Sequence, residues 1–161
     1  MMKTLIMCQG LPASGKSTWA YQYAQQYPGV IIITKDDIRA DLAKTGWQWS
    51  PDAEQDVRQE RDMHIVKAFL AGAQTIIVAD TNLARMHRVR LAEIAASLGI
   101  EFAVQKFLTP VEECVRRDAL REHPVGVSVI HGMVHRYGLD KRADWYGRPA
   151  IVPLLPYQPQ P

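Results

Sequence analysis

GLPASGKSTW, residues 10–19, decides how the rest of the chain is read. Its first eight residues satisfy GxxxxGK[ST], with Lys16 and Ser17 at the two positions that carry chemistry. In this pattern the backbone N–H groups wrap a phosphate, the lysine reaches the β and γ oxygens, and the serine offers its hydroxyl to Mg²⁺. The pattern acquires meaning from its flanks. Residues 3–9 form a short apolar run that reads as a buried strand, and residues 16–27 read as the helix that the loop opens. The candidate nucleotide contacts are Gly10, Ala13, Ser14, Gly15, Lys16, Ser17 and Thr18, with ATP or another nucleoside triphosphate as phosphate donor and Mg²⁺ beside it.

Outward from this loop the chain alternates. VIIIT (30–34) is a β-branched run of parallel-strand type, TIIVA (75–79) is a third apolar strand, and residues 101–108 are a fourth. Between them lie helical stretches. One is opened by Ser50 as N-cap with Pro51 at its first position and runs to about residue 72; another spans 84–98 and stops at Gly99. Thr109, Pro110 and Glu112 read as a capping box for a helix to about residue 121, and helical spacing resumes over 127–137. The expectation is an α/β, P-loop NTPase fold: a mostly parallel sheet of four to five strands flanked by helices, with an arginine-bearing helical lid. Residues 1–140 form its kinase domain, and 141–161 form a proline-rich C-terminal tail.

Composition bounds the rest. With 161 residues, 47% of them apolar, the chain fits one compact domain that buries its own core. Cys8 and Cys114 match no metal spacing, and Cys8 within an apolar run reads as a small core residue suited to a reducing compartment. The first apolar run is too short for a signal peptide, and nothing approaches a membrane span, so the expectation is a cytoplasmic protein. Net charge is +2, made of −1 over residues 1–83 and +3 over 84–161, a bias that a mixed solvated surface accounts for equally well.

In such a sheet, ligands bind beyond the carboxyl ends of the strands. The second strand delivers Lys35, Asp36, Asp37 and Arg39 there; one aspartate is free to accept a proton from an acceptor hydroxyl while the other caps the helix beginning at Ile38. The third delivers Asp80, Thr81 and Asn82, where an aspartate orders Mg²⁺ against the loop serine, although DTN is also an ordinary turn sequence. After the fourth, Arg117 and Arg121 lie four apart on one helix face, placed either to stabilise charge on a transferred phosphoryl group or simply to be solvated. His131 and His135 share i, i+4 spacing without the glutamate of HExxH. Trp47 and Trp49 either stack bases or fold onto the core.

GLPASGKSTW, TKDDIR, VADTN and VRRDALR together resemble the 5′-hydroxyl kinase domain of phage-type polynucleotide kinases, in the same order and spacing over residues 3–137. The resemblance implies an ATP-dependent kinase acting on 5′-OH ends of DNA or RNA in nucleic-acid repair. It implies Asp36 as general base, Arg39 and Thr81 as acceptor contacts, Asp80 with Ser17 as partner of the metal, and Arg117 and Arg121 as lid contacts to ATP phosphates. Lys16 and Arg121 join Asp36 as the catalytic set. Lys35, a further acceptor-side cation, stands where the family often has arginine, giving a point charge in place of a fork. The 3′-phosphatase fused to some members would need a DxDGT motif that the chain lacks, so kinase chemistry alone is expected. The alternatives are a small-metabolite kinase of the same fold and a non-catalytic, nucleotide-gated binding module.

Overall fold

A computed structural model describes residues 2–141. The proline-rich stretch expected as a separate tail lies, apart from Lys141, outside the described residues.

Among the described residues four strands and six α-helices alternate except where two helices follow β2 and two follow β4: β1 (Thr4–Gln9), α1 (Lys16–Gln26), β2 (Val30–Ile33), α2 (Lys35–Ala43), α3 (Glu54–Leu70), β3 (Thr75–Val78), α4 (Arg85–Leu98), β4 (Glu101–Lys106), α5 (Val111–Asp118) and α6 (Val127–Arg136). All pairings are parallel and the sheet order is β2-β3-β1-β4. The strand that carries the phosphate loop is thus central, with β3 on one side and β4 on the other.

The apolar runs of the two central strands, β1 and β3, are buried on both faces, as parallel strands with helical crossovers require, whereas β2 at the sheet edge leaves Ile31 exposed. Leu5 and Met7 of β1, with Ile76 and Val78 of β3, pack against Val57, Ile65 and Phe69 of α3 and Leu91 and Ile94 of α4. Their alternate neighbours Ile6, Cys8 and Ile77 pack on the opposite face with Ala20 of α1 and Phe107. Cys8 is therefore the core residue its surroundings suggested, and burial raises its thiol pKa to about 12. A third cluster joins Leu11 of the phosphate loop and Leu108 to Cys114, Ile130 and Val134 of α5 and α6, so the lid helices share a core with the loop they face.

Helix starts differ from the sequence reading in three places. Ser50 does not cap α3: its hydroxyl accepts from Ala53 N, its carbonyl accepts from Glu54 N, and a separate turn over 51–53 precedes the helix. Neither aspartate of the DD pair caps α2, which begins at Lys35; Thr34 is the N-cap and accepts from Asp37 N at 3.1 Å. Thr34 already stands in the β conformation at the end of β2, so the cap arrives one strand residue early and puts both acids in the first turn, where the helix dipole favours them. Helix α5 starts at Val111 with Pro110 in the cap position, and the Thr109 hydroxyl donates to the Ser14 carbonyl at 2.8 Å, tying the β4–α5 connection to the phosphate loop. Among the described residues no helix is long and apolar enough to cross a membrane.

Candidate active site

The phosphate loop is held by close approach. A Cβ on Gly10 would meet Ser14 Oγ at 2.7 Å and Phe107 Cβ at 2.9 Å, so only glycine fits there. Ala13 (φ 60) and Gly15 (φ 102) are both left-handed, the backbone alternation that builds an anion nest at the start of α1. Lys16 is buried, and its ammonium donates to the carbonyls of Leu11 at 2.6 Å and Gly10 at 3.1 Å. Burial lowers its pKa to about 8. Ala13, Ser14, Gly15, Lys16, Ser17 and Thr18 line a cavity of about 280 Å³ together with Arg117 and Arg121 from the lid side. The structure thus brings the predicted loop residues, apart from Gly10, and both predicted lid arginines to one cavity.

Each arginine has a carboxylate guide. Arg117 Nε donates to Glu113 Oε1 at 2.8 Å, and Arg121 Nη1 donates to Asp118 Oδ1 at 3.4 Å. Asp118 also accepts from the backbone N–H groups of Val125 and Gly126, at 3.1 and 2.9 Å. This buried carboxylate therefore pins the start of α6 and leans Arg121 against the same hinge. Asp118 lies inside the R-x-x-x-R stretch but was not singled out from sequence, where an acid beside arginines reads as a surface pair.

At the end of β3, Asp80 Oδ1 accepts from Lys35 N at 2.8 Å, while Asp80 Oδ2 is buried without a partner. Burial raises its carboxyl pKa, opposed by Lys35 and by the buried guanidinium of Arg61. An orphaned, buried carboxylate oxygen is a fit for a hard cation, and both it and the exposed Ser17 hydroxyl are oxygen donors of the kind Mg²⁺ takes. Asn82 serves the fold: in a left-handed conformation (φ 45), its side-chain amide N–H₂ donates to Cys8 O and its main-chain carbonyl accepts from Gln9 Nε2, while Gly10 N donates to Thr81 O. The DTN segment so clamps the phosphate loop to β3.

On the β2 side, Arg39 Nη1 donates to Asp36 Oδ1 at 2.6 Å. Its Nε donates to Glu54 Oε2 at 3.1 Å and its Nη2 to Glu54 Oε1. Glu54 lies within 3.8 Å of Lys35 Nζ and accepts from Trp49 Nε1 at 3.1 Å. Despite burial, these cations hold its carboxyl below the usual range. Sequence reasoning missed Glu54 entirely, since it is fifteen residues from Arg39 and belongs to no local pattern. Behind this cluster Arg61 is fully buried, with Nε and Nη2 on Asp62 and Nη1 on His87 Nδ1 at 3.4 Å. Burial and the cations Lys35, Arg61 and Arg58 press the His87 pKa down to about 4. Trp47 packs against the main core, Trp49 stays 60% exposed, and His131 and His135 are exposed on α6.

A glycine-rich loop between β1 and α1, a central parallel strand carrying it, and an arginine-bearing lid across its cavity define a P-loop kinase fold. The chain belongs to the AAA domain family, whose sequence pattern matches residues 5–139. It is similar in fold to a chain of the Pnkp1/Rnl/Hen1 RNA repair complex, with a TM-score of 0.66 and 23% identity over 87% of this chain and 45% of that one. It is also similar to the APS kinase CysC of Mycobacterium tuberculosis, in complex with AMPPNP and APS (TM-score 0.56, 22% identity, 74% of this chain and 70% of that one). A gluconokinase from Sinorhizobium meliloti 1021 matches as well (TM-score 0.55, 19% identity, 83% and 74%). The chain thus spans less than half the length of the RNA repair protein it matches.

Proposed function

We propose that this protein is an ATP- and Mg²⁺-dependent kinase that transfers the γ-phosphate to the 5′-hydroxyl end of DNA or RNA, working in nucleic-acid repair. The observation that carries the reading is the contact of Arg39 with Asp36 on one helical turn, beside the Lys35–Asp80 contact at the end of β3. The contact sets a guanidinium fork against an exposed carboxylate, which supports an acceptor held by a phosphate and a neighbouring hydroxyl together. Likeness to a chain of an RNA repair complex supports a polynucleotide acceptor.

Asp36 accepts the proton as the acceptor oxygen bonds to the γ-phosphorus, and the bond to the β-γ bridging oxygen breaks with its electron pair leaving on ADP. Lys16, Arg117 and Arg121 stabilise the charge that spreads over the transferring oxygens. Mg²⁺, held by Ser17 and Asp80 directly or through water, would neutralise charge on the phosphates. Arg39 carries five N–H groups, of which Glu54 takes two and Asp36 one, leaving one on each terminal nitrogen for the acceptor phosphate. Thr81, at the end of β3, is the second acceptor contact, and Lys35 adds charge.

A small-metabolite kinase is the second reading, favoured by fold similarity to gluconokinase and APS kinase at comparable coverage. One measurement separates the two. A hydrogen bond to a charged group contributes about 1.5–3 kcal/mol, so Arg39→Ala should lower kcat/KM for a nucleoside 3′-monophosphate about tenfold to a hundredfold and leave a plain nucleoside, already a poor acceptor, nearly unchanged. Equal losses on both acceptors would remove the phosphate-reading role and return the case to a small metabolite.

A further inference from the structure

Trp49 is an exposed ring held in a fixed place. Of the tryptophans in the described residues, Trp19 packs edge-on against Phe107 and Trp47 folds onto the core, while Trp49 leaves 60% of its surface to solvent. An indole that large is ordinarily covered. It is not loose, however: Nε1 donates to Glu54 Oε2 at 3.1 Å, the same oxygen that accepts from Arg39 Nε at 3.1 Å. The indole edge and the guanidinium are therefore within two hydrogen-bond lengths of each other. The next residue, Ser50, is tied to Ala53 and Glu54 at the start of α3, so the backbone that carries the ring is anchored as well.

Around one carboxylate the structure so collects an open aromatic surface, an arginine fork and, at 3.8 Å, the ammonium of Lys35. An aromatic surface beside cations is the combination that binds a single nucleic-acid strand, where bases stack and phosphates pair. A sulfate acceptor would use the cations and leave the indole idle, and a sugar stacked on the ring would show no dependence on the bases of an oligonucleotide. Resting on the kinase reading above, we propose that Trp49 is a stacking platform for a nucleobase of the acceptor, one of the two bases that flank the phosphate taken by Arg39. Glu54 holds reader and platform at a set spacing, so the protein grips an acceptor end by phosphate and base together. Recognition of this kind tolerates any base, because each presents a flat face.

The test compares the parent protein, Trp49→Phe and Trp49→Ala on two 5′-OH oligonucleotides, one normal and one lacking bases on its first two sugars. On the normal acceptor Trp49→Ala should lower kcat/KM about fivefold to a hundredfold, the usual range for losing one stacked base, and Trp49→Phe should recover most of it. On the abasic acceptor the parent should itself fall by a similar factor, and neither substitution should lower it further. Equal losses for Trp49→Ala on both acceptors, or a phenylalanine variant as poor as alanine, would show that the ring acts only through its bond to Glu54 and would overturn the proposal while leaving the kinase reading in place. A parent protein that labels no oligonucleotide at all would remove both together.

Discussion

Glu54 on α3 takes the side-on edge of Arg39 on α2, and in that orientation Nη1 of Arg39 meets Asp36. A residue outside every motif thus orients two residues inside one. The pair is half-buried, so its geometry is less exposed to screening than a surface ion pair. Glu54→Gln keeps the shape and removes the charge. It should lower kcat/KM for the acceptor about tenfold to a hundredfold, with the KM for ATP unchanged. A double-mutant cycle with Arg39→Ala should be strongly non-additive, whereas additive losses would mean that Glu54 does not work through Arg39.

The two aspartates of the DD pair should separate cleanly. Asp36→Asn should remove most of the rate while ATP affinity stays near that of the parent, because an amide can hydrogen-bond the acceptor hydroxyl but cannot take its proton. Asp37→Asn should be close to the parent in rate, because the helix start depends on Thr34 and not on the Asp37 side chain. Steady-state rates for both variants at saturating ATP check this. A reversed order would move the proposed base to Asp37.

Thr34→Val removes the α2 cap at nearly constant volume. A lost N-cap costs about 1 kcal/mol, which for a chain of this size lowers Tm by about 2–4 °C. Thermal unfolding measures it. An unchanged Tm would contradict the assignment of Thr34 as the cap.

Lys16 titrates at about 8 in the free protein because burial disfavours its charged form. Phosphates bound against it restore the charge, so its pKa must rise on binding ATP and the protein must take up a proton. The uptake should be near zero at pH 6.5, where Lys16 is protonated in both states, and should approach one proton near pH 9. Calorimetry in two buffers of different ionisation enthalpy reads it directly. The same depression makes the fold gain stability as pH rises from 8 towards 10.5, since the unfolded chain holds that proton longer. Lys16→Ala should lose at least a hundredfold in turnover.

In the lid, Asp118→Asn places an amide N–H₂ against one of two backbone N–H groups it now accepts from. The hinge should loosen and kcat should fall about tenfold or more with acceptor KM little changed. Arg121→Lys should lose more than its retained charge suggests, because a point charge cannot bridge two phosphate oxygens. If either variant kept full kcat, Arg121 would belong to the solvated face.

What the sequence made legible is what local chemistry dictates. Strand, loop and helix around Lys16 and the β-branched runs of β2 and β3 are near-continuous apolar segments with strong punctuation, and they stand where they were expected. The lid arginines were singled out by a four-residue spacing that puts both on one helix face, yet α5 ends at Asp118 and Arg121 follows it in a bend, so the two reach the cavity from a helix and from the segment after it. Contacts that depend on packing between distant elements were not legible: Glu54 with Arg39, Arg61 with His87, and Thr109 with Ser14. The caps went wrong for a related reason. Ser50, Asp37 and Thr109 are all good cap residues, and only the angle at which the chain leaves a strand or turn decides which oxygen meets the first helical N–H.

The sheet order sets a distance. β3 lies between β1, which delivers the phosphate loop, and β2, which delivers the proposed base. Neighbouring strands stand about 4.8 Å apart, so the two deliveries are held about 10 Å from each other by main-chain hydrogen bonds and not by loops. β3 thereby acts as a ruler between the phosphate loop and the Asp36 segment, and side-chain substitution in the loops cannot reset it. Loop variants can change what either strand end carries, yet the spacing between the two ends is written into the backbone.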